Sequence, residues 1–395
     1  MRFRALLTVI LLAGASGSPA APPPPAAQGL SHAHNAFGFK VLKTLEQGEG
    51  NNNVFISPSS IAIALSMVYN GARGQTKTAM EKALELQGMD IDQVNRQSRD
   101  LINLLKNPDP KVQLTVANSV WARKGVSFRP EFLKTVLNFY QAQATALDFH
   151  SAGAANTINA WVNEKTRGKI PIIVQPPIPP DMVMYLINAV YFKGSWSTEF
   201  DKKLTEDRPF TPAGGPPAKR PLMKQHGWLP YLETDDFQSV SLPYGKNHRL
   251  SMVVFLPKKD LKTLLGKLDS NSWDFWMTHY SNTEGTILLP RFKMEYEKEL
   301  RGTLTQLGMG LAFQDDADLG GIGPHLSISE VKHKTYVDVN EEGTEAAAVT
   351  SVGVRATAVH VEPPTFYMEV NRPFLFAIRD SQSGEVLFLG VVQKP

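Results

Sequence analysis

The sequence predicts a mixed α/β fold in which several β-sheets carry helices around them. Three observations lead there. Strand-like runs are dense, at Val112 to Trp121, Met182 to Phe192, Ser239 to Leu242, Ser251 to Leu256, Thr286 to Leu289, Val331 to Val339 and Val386 to Val392. Helical patterns separate some of them, at Gln93 to Leu105, Ala154 to Thr166 and Leu261 to Leu268. The two kinds do not alternate regularly enough for a barrel or a doubly wound sheet.

Met1 to Ala20 carries Arg2 and Arg4, an apolar run from Ala5 to Ala13 and then Ser18-Pro19-Ala20. This is a secretory leader pattern with cleavage after Ala20, and its apolar run is too short to span a bilayer. Residues 21–29, with Pro22 to Pro25, read as a short extended linker. From Leu30 to Pro395 no linker, repeat or low-complexity block intervenes, so this part reads as one domain. Ala36, Phe37, Phe39, Leu42 and Leu45 give the first helix an apolar face. Val54-Phe55-Ile56 is a short buried strand. Ser57-Pro58 starts a helix, with Ser57 as N-cap and Pro58 in the first turn. Ile61 to Tyr69 is apolar nearly all round, which predicts a buried helix ending at Gly71. Near the C-terminus, Met368 to Ile378 reads as a further strand.

Composition excludes several functions. Lys+Arg 41 minus Asp+Glu 38 gives +3, too balanced for a nucleic-acid footprint. With 0 cysteines there is no thiol catalysis, disulfide or thiolate metal site, and packing alone stabilises the core. No His-Glu-x-x-His, Walker loop or Gly-x-Ser-x-Gly outside the leader is present. Gly320-Gly321-Ile322-Gly323 lacks a preceding strand and reads as a loop. His32 and His34 read as exposed terminal residues, and Lys246, His248, Arg249, Lys258 and Lys259 as solvated turns. No metal or cofactor is expected.

The informative stretch is Val331 to Ser351. Val331, His333, Thr335, Val337 and Val339 share one strand face, and Lys332, Lys334, Tyr336 and Asp338 the other. After Gly343 the residues are small and nearly uncharged, until Pro363-Pro364 stop regular structure. Were that segment to become a strand, Thr344, Ala346, Ala348, Thr350 and Val352 would share a face with no charge and nothing larger than valine. Such a face can be buried without a desolvated ion. Glu345, the segment's carboxylate, would point to solvent. The segment can therefore exist as an exposed loop or an inserted strand. An Ala-rich run alone is more often a helix.

Glu341-Glu342-Gly343-Thr344-Glu345-Ala346-Ala347-Ala348, followed by Val370-Asn371-Arg372-Pro373-Phe374-Leu375-Phe376, resembles the serpin family of protease inhibitors. The resemblance covers Leu30 to Pro395 in motif order. It implies about three sheets surrounded by eight to nine helices, and an exposed reactive-centre loop over about residues 343–367. It also implies a suicide mechanism, in which loop cleavage leads to strand insertion.

Taken alone, Ser57 and Ser60 are ordinary caps, and Asn188 and His333 satisfied core polarity. The resemblance places the four in a buried hydrogen-bond cluster, the shutter, beneath the main sheet. It places Trp196 at the top of that sheet, the breach, where insertion starts, and pairs Arg291 with Glu341. Counting from Gly343 puts the scissile bond at Thr357-Ala358, which suits the shallow pockets of elastase- or subtilisin-like proteases. Arg355-Ala356 is the alternative, suited to a trypsin-like pocket. The partner implied is a serine protease held as a covalent acyl complex, with cysteine proteases a further class. The inhibitor is expected to be monomeric, with no nucleic acid or membrane partner. A non-inhibitory carrier or chaperone is the competing reading within the family.

Overall fold

The computed structural model describes residues 29–344 and 365–395. The leader, the linker up to Gln28, Glu345 to Ala348 of the hinge and both scissile bonds lie outside the described residues.

The chain opens with α1 (Gly29–Glu49), β1 (Val54–Ile56), α2 (Pro58–Tyr69), α3 (Gly74–Ala83), α4 (Ile91–Leu105) and β2 (Val112–Arg123). There follow α5 (Pro130–Thr135), β3 (Gln143–Leu147), α6 (Ala154–Lys165), β4 (Met184–Ser195), β5 (Glu206–Phe210), β6 (Ala218–Glu233), β7 (Phe237–Pro243) and β8 (Leu250–Pro257). Next come α7 (Leu261–Lys267), α8 (Ser270–Thr278), β9 (Ser281–Pro290), β10 (Phe292–Glu299), α9 (Arg301–Leu304) and β11 (Glu330–Asn340). The last strands are β12 (Gly343–Thr344), β13 (Phe366–Glu369), β14 (Phe374–Asp380) and β15 (Val386–Val392).

Among the described residues, hydrogen bonding groups the strands into a six-stranded and a nine-stranded sheet. The six-stranded sheet runs β10-β11-β12-β4-β2-β3. The nine-stranded one runs β1-β15-β14-β8-β7-β6-β9-β13, with β5 also on β6. Within it, β6 and β7 pair only over Tyr231–Glu233 and Gln238–Val240. Beyond that junction β6 continues with β9, and β7 with β8. The nine-stranded sheet is thus narrowest at that junction, and with the six-stranded one it gives the mixed multi-sheet architecture that the resemblance implied.

Every residue of α2 is buried, as its continuous apolar run requires. It packs behind the six-stranded sheet, whose core-facing side chains include Leu186, Val190, Phe192, Val331, Val337 and Val339. The opposite face carries Tyr185, Ile187 and Ala189, covered by α6 through Ile158 and Val162.

Three expectations need correction. Met368 to Ile378 is two strands, because Pro373 has no N–H to donate and Asn371 turns back on Glu369. β13 runs parallel to β9, whereas β14 lies antiparallel between β8 and β15. Ser57 has extended backbone at the start of α2, but its hydroxyl makes no cap; it donates to the Leu387 carbonyl at 2.6 Å. His34 and Arg249 are not solvated. His34 is buried against Glu385 at 2.7 Å, and Arg249 holds the fully buried Asp380 with Nε–Oδ1 at 2.6 Å.

Candidate functional site

The site is the junction between β4 and β11. Over Glu330–Tyr336 and Tyr185–Tyr191 these strands pair directly and in parallel. Above that stretch they are separated by β12. Gly343 and Thr344 pair antiparallel with Asn340 and Val339 on one side, and with Ser195 and Gly194 on the other. The first hinge residues are thus already a strand, a state the sequence pattern offered only as one of two.

Gly343 is required here. Its φ is +149°, and a Cβ would meet the Gly194 carbonyl oxygen at 2.1 Å. Thr344 is fully buried, and its hydroxyl lies 2.7 Å from that of Tyr244.

The residues entering the hinge are tied from below. Trp196 donates its backbone N–H to Glu342 O at 3.0 Å and its indole N–H to Asn340 O at 2.8 Å. Glu341 is buried and accepts from Arg291 Nε at 2.7 Å and from Thr205 Oγ1 at 2.5 Å. Burial alone would raise the Glu341 carboxyl, but the Arg291 and Thr205 bonds outweigh it and hold it below the ordinary glutamate value. Lys202 reaches Glu342 from a more exposed position at 2.5 Å.

Deeper along the junction, His333 stands directly across from Asn188. The backbone N–H of Ser57 donates to His333 Nε2 at 3.2 Å, so Nδ1 carries the ring proton and donates to Asn188 Oδ1 at 2.6 Å. Asn188 Nδ2 donates to Ser60 Oγ and to Asn118 Oδ1 at 2.5 Å. Ser57, Ser60, Asn188 and His333 therefore meet in one network, and its His333–Asn188 bond bridges the two strands. Burial keeps the imidazole neutral, with its pKa pushed down to about 3.

Sequence reasoning missed Tyr244, Thr205 and Asn118. Tyr244 lies in Leu242-Pro243-Tyr244-Gly245, a turn signature that gives no sign of a buried ring. Among the described residues no group of three or more His, Asp or Glu side chains is placed to hold a metal ion. No helix there is long and apolar enough to cross a membrane.

The serpin family model, described as serine protease inhibitor, matches residues 32–395. A serpin-like protein of Thermococcus kodakarensis is 38% identical over 371 residues, covering 92% of this chain and 85% of its own. The leukocyte elastase inhibitor of Bos taurus is 37% identical over 382 residues, covering 93% and 99%. Among solved structures, the thermophilic serpin tengpin in its native state has a TM-score of 0.85 at 33% identity, covering 92% of this chain and 94% of that one. Human thyroxine-binding globulin in complex with thyroxine also reaches 0.85, at 26% identity, covering 93% and 98%. Matched over nearly all its length by sequence and by fold, the chain belongs to the serpin family of serine protease inhibitors.

Proposed function

We propose that this protein inhibits serine proteases as a suicide substrate. A target attacks Thr357-Ala358, or alternatively Arg355-Ala356, and is held as an acyl-enzyme while the freed loop inserts between β4 and β11. The observation that carries this reading is the pairing of Gly343–Thr344 between those strands.

Continuing that register sets Ala346 opposite Phe192 and Val337, Ala348 opposite Val190 and Thr335, and Thr350 opposite Asn188 and His333. Small side chains thus arrive on the core-facing side at every second position. Full insertion replaces one parallel ladder with two antiparallel ones, and antiparallel pairing is the slightly more stable kind. A dozen added ladder bonds contribute on the order of 10 kcal/mol, enough to distort an active site held by a few contacts. Fully extended, Thr344 to Thr357 covers roughly 45 Å, against a diameter on the order of 50–55 Å for a globule of this size. The tethered protease therefore travels nearly the width of the inhibitor.

The leader pattern at residues 1–20 supports export, with residues 30–395 acting as a single monomeric domain. The test is incubation with elastase, subtilisin and trypsin, followed by denaturing electrophoresis and sequencing of the released C-terminal peptide. A complex that survives denaturation, with the cut after Thr357, is expected. Cleavage without a complex refutes inhibition and leaves a carrier role, as in thyroxine-binding globulin.

A further inference from the structure

The turn between β7 and β8 reaches the hinge and is held by hydrogen bonds from both sides. Tyr244 is fully buried, and its ring stacks on Trp196 at 4.4 Å and 12°. Burial raises its hydroxyl well above the ordinary tyrosine range, so it stays protonated and neutral beside Thr344. Its backbone N–H donates to Leu250 O at 2.8 Å, and Gly245 N–H to Ser195 O at 2.9 Å.

Asp109, just before β2, fixes this turn from the other side. Its carboxylate accepts the backbone N–H groups of Lys246 at 2.8 Å and Asn247 at 2.9 Å, together with that of Lys111 at 2.8 Å. Gly245, at φ +73°, lies so close that a Cβ would meet the carboxyl group at 2.4 to 2.7 Å. Burial works against the charge on Asp109, yet the backbone donors outweigh it and keep the carboxyl below its usual range. A buried carboxylate committed to the backbone donors of a distant turn serves to hold that turn. The turn in turn presents one hydroxyl to one hinge residue.

We propose that Asp109 and Tyr244 are positioning residues for the hinge: Asp109 fixes the turn over Tyr244 to Asn247, and Tyr244 keeps Thr344 between β4 and β11 in the uncut chain. The proposal rests on reading Gly343–Thr344 as the point where insertion begins. Because Thr344 already occupies its final register, the Tyr244 bond starts the new strand before any cut is made. Losing it leaves insertion to begin by parting two paired strands, and a slower start lets more acyl-enzyme hydrolyse.

Hydrogen–deuterium exchange on the uncut protein tests the clamp directly, without reference to any protease. In Tyr244→Phe, amides of residues 339–344 should exchange about tenfold faster, the scale of one lost buried hydrogen bond. Residues 185–191 should keep wild-type protection. Asp109→Asn should give the same local pattern. Thr344→Val in the Tyr244→Phe background should recover part of the protection, because no polar group is then left unpaired. A purely structural role would not produce that recovery. With a protease that the wild type traps, Tyr244→Phe should raise the number of inhibitor molecules consumed per enzyme severalfold. Unchanged hinge exchange in both Tyr244→Phe and Asp109→Asn overturns the proposal, as does equal acceleration across the whole sheet. A wild type that traps no protease refutes the inhibitory reading instead, and the exchange data still decide the clamp.

Discussion

Thr344→Arg sets two energies against each other. Keeping the arginine in place buries an unpaired guanidinium where threonine is fully buried, at a cost of several kcal/mol after relaxation. Expelling Gly343–Thr344 instead forfeits their pairing with Val339, Asn340, Gly194 and Ser195 and the Tyr244 bond. At about 1 kcal/mol net for each of a few hydrogen bonds, expulsion costs roughly 2–4 kcal/mol. Expulsion is the cheaper course. The variant should therefore fold, with the hinge outside the sheet and β4 and β11 still paired below. After cleavage the arginine again bars entry, so the loop is cut without trapping the protease. Denaturing electrophoresis reads the complex, and thermal melts of intact and cut protein read insertion. The wild type should melt far higher once cut, and the variant at nearly the same temperature in both forms. Wild-type complex yield from Thr344→Arg, or a large gain in melting temperature on cutting it, would refute the reasoning.

Gly343→Ala should act in the same direction through shape alone, since the added methyl meets the Gly194 carbonyl. Faster exchange at the hinge with an unchanged far-ultraviolet spectrum would check it. Arg291→Gln removes the main support for the Glu341 charge. Because Arg291 is 43% exposed, the loss should be about 1–2 kcal/mol, below the usual cost of breaking a buried pair. In the wild type this carboxyl is depressed, so its contribution is present above the ordinary glutamate value and lost as pH falls through its folded value. Denaturant melts at pH 7 and pH 4 should show the variant's deficit shrinking at the lower pH. His333→Gln tests the neutral imidazole. Its folded pKa of about 3 lies below the unfolded 6.5, so the unfolded chain binds the proton first. Stability should fall by up to about 1.4 kcal/mol per unit from pH 6.5 downward, and the variant should lack that component of the slope. Parallel slopes for both proteins would sink the assignment.

Much of this architecture was legible in the sequence wherever local periodicity coincides with burial. The alternation from Val331 to Val339 matches β11, and the continuous apolar run from Ile61 matches a helix buried on every side. The contacts of Arg291 and of the four polar residues at the junction followed from motif order, not from any pattern within them. What stayed hidden depends on contacts between distant parts of the chain. Thr344 and Tyr244 are 100 residues apart, and Asp109 and Lys246 are 137 apart. No periodicity encodes such meetings. The Ser57 hydroxyl was misassigned for a related reason: a carbonyl 330 residues away competes with the local cap. His34 and Arg249 looked solvated because their partners, Glu385 and Asp380, flank a hairpin near the far end of the chain.

If the chain inhibits as proposed, the pairing of β13 with β9 governs how long the uncut form stays ready to insert. Phe366 stacks on Tyr231 at 4.3 Å and 8°, and Gly285 is bare beneath its ring, where a Cβ would meet Phe366 at 2.3 Å. This strand anchors the downstream end of the loop to a different sheet from the one that receives the upstream end. On the proposed mechanism, an unbroken chain can insert as far as Thr357 only by peeling β13 from its edge, since the residues from Thr357 to Phe366 span roughly 30 Å and an inserted strand roughly 45 Å. On that mechanism the lifetime of the uncut form would be set at Phe366, far along the chain from the hinge where insertion would begin.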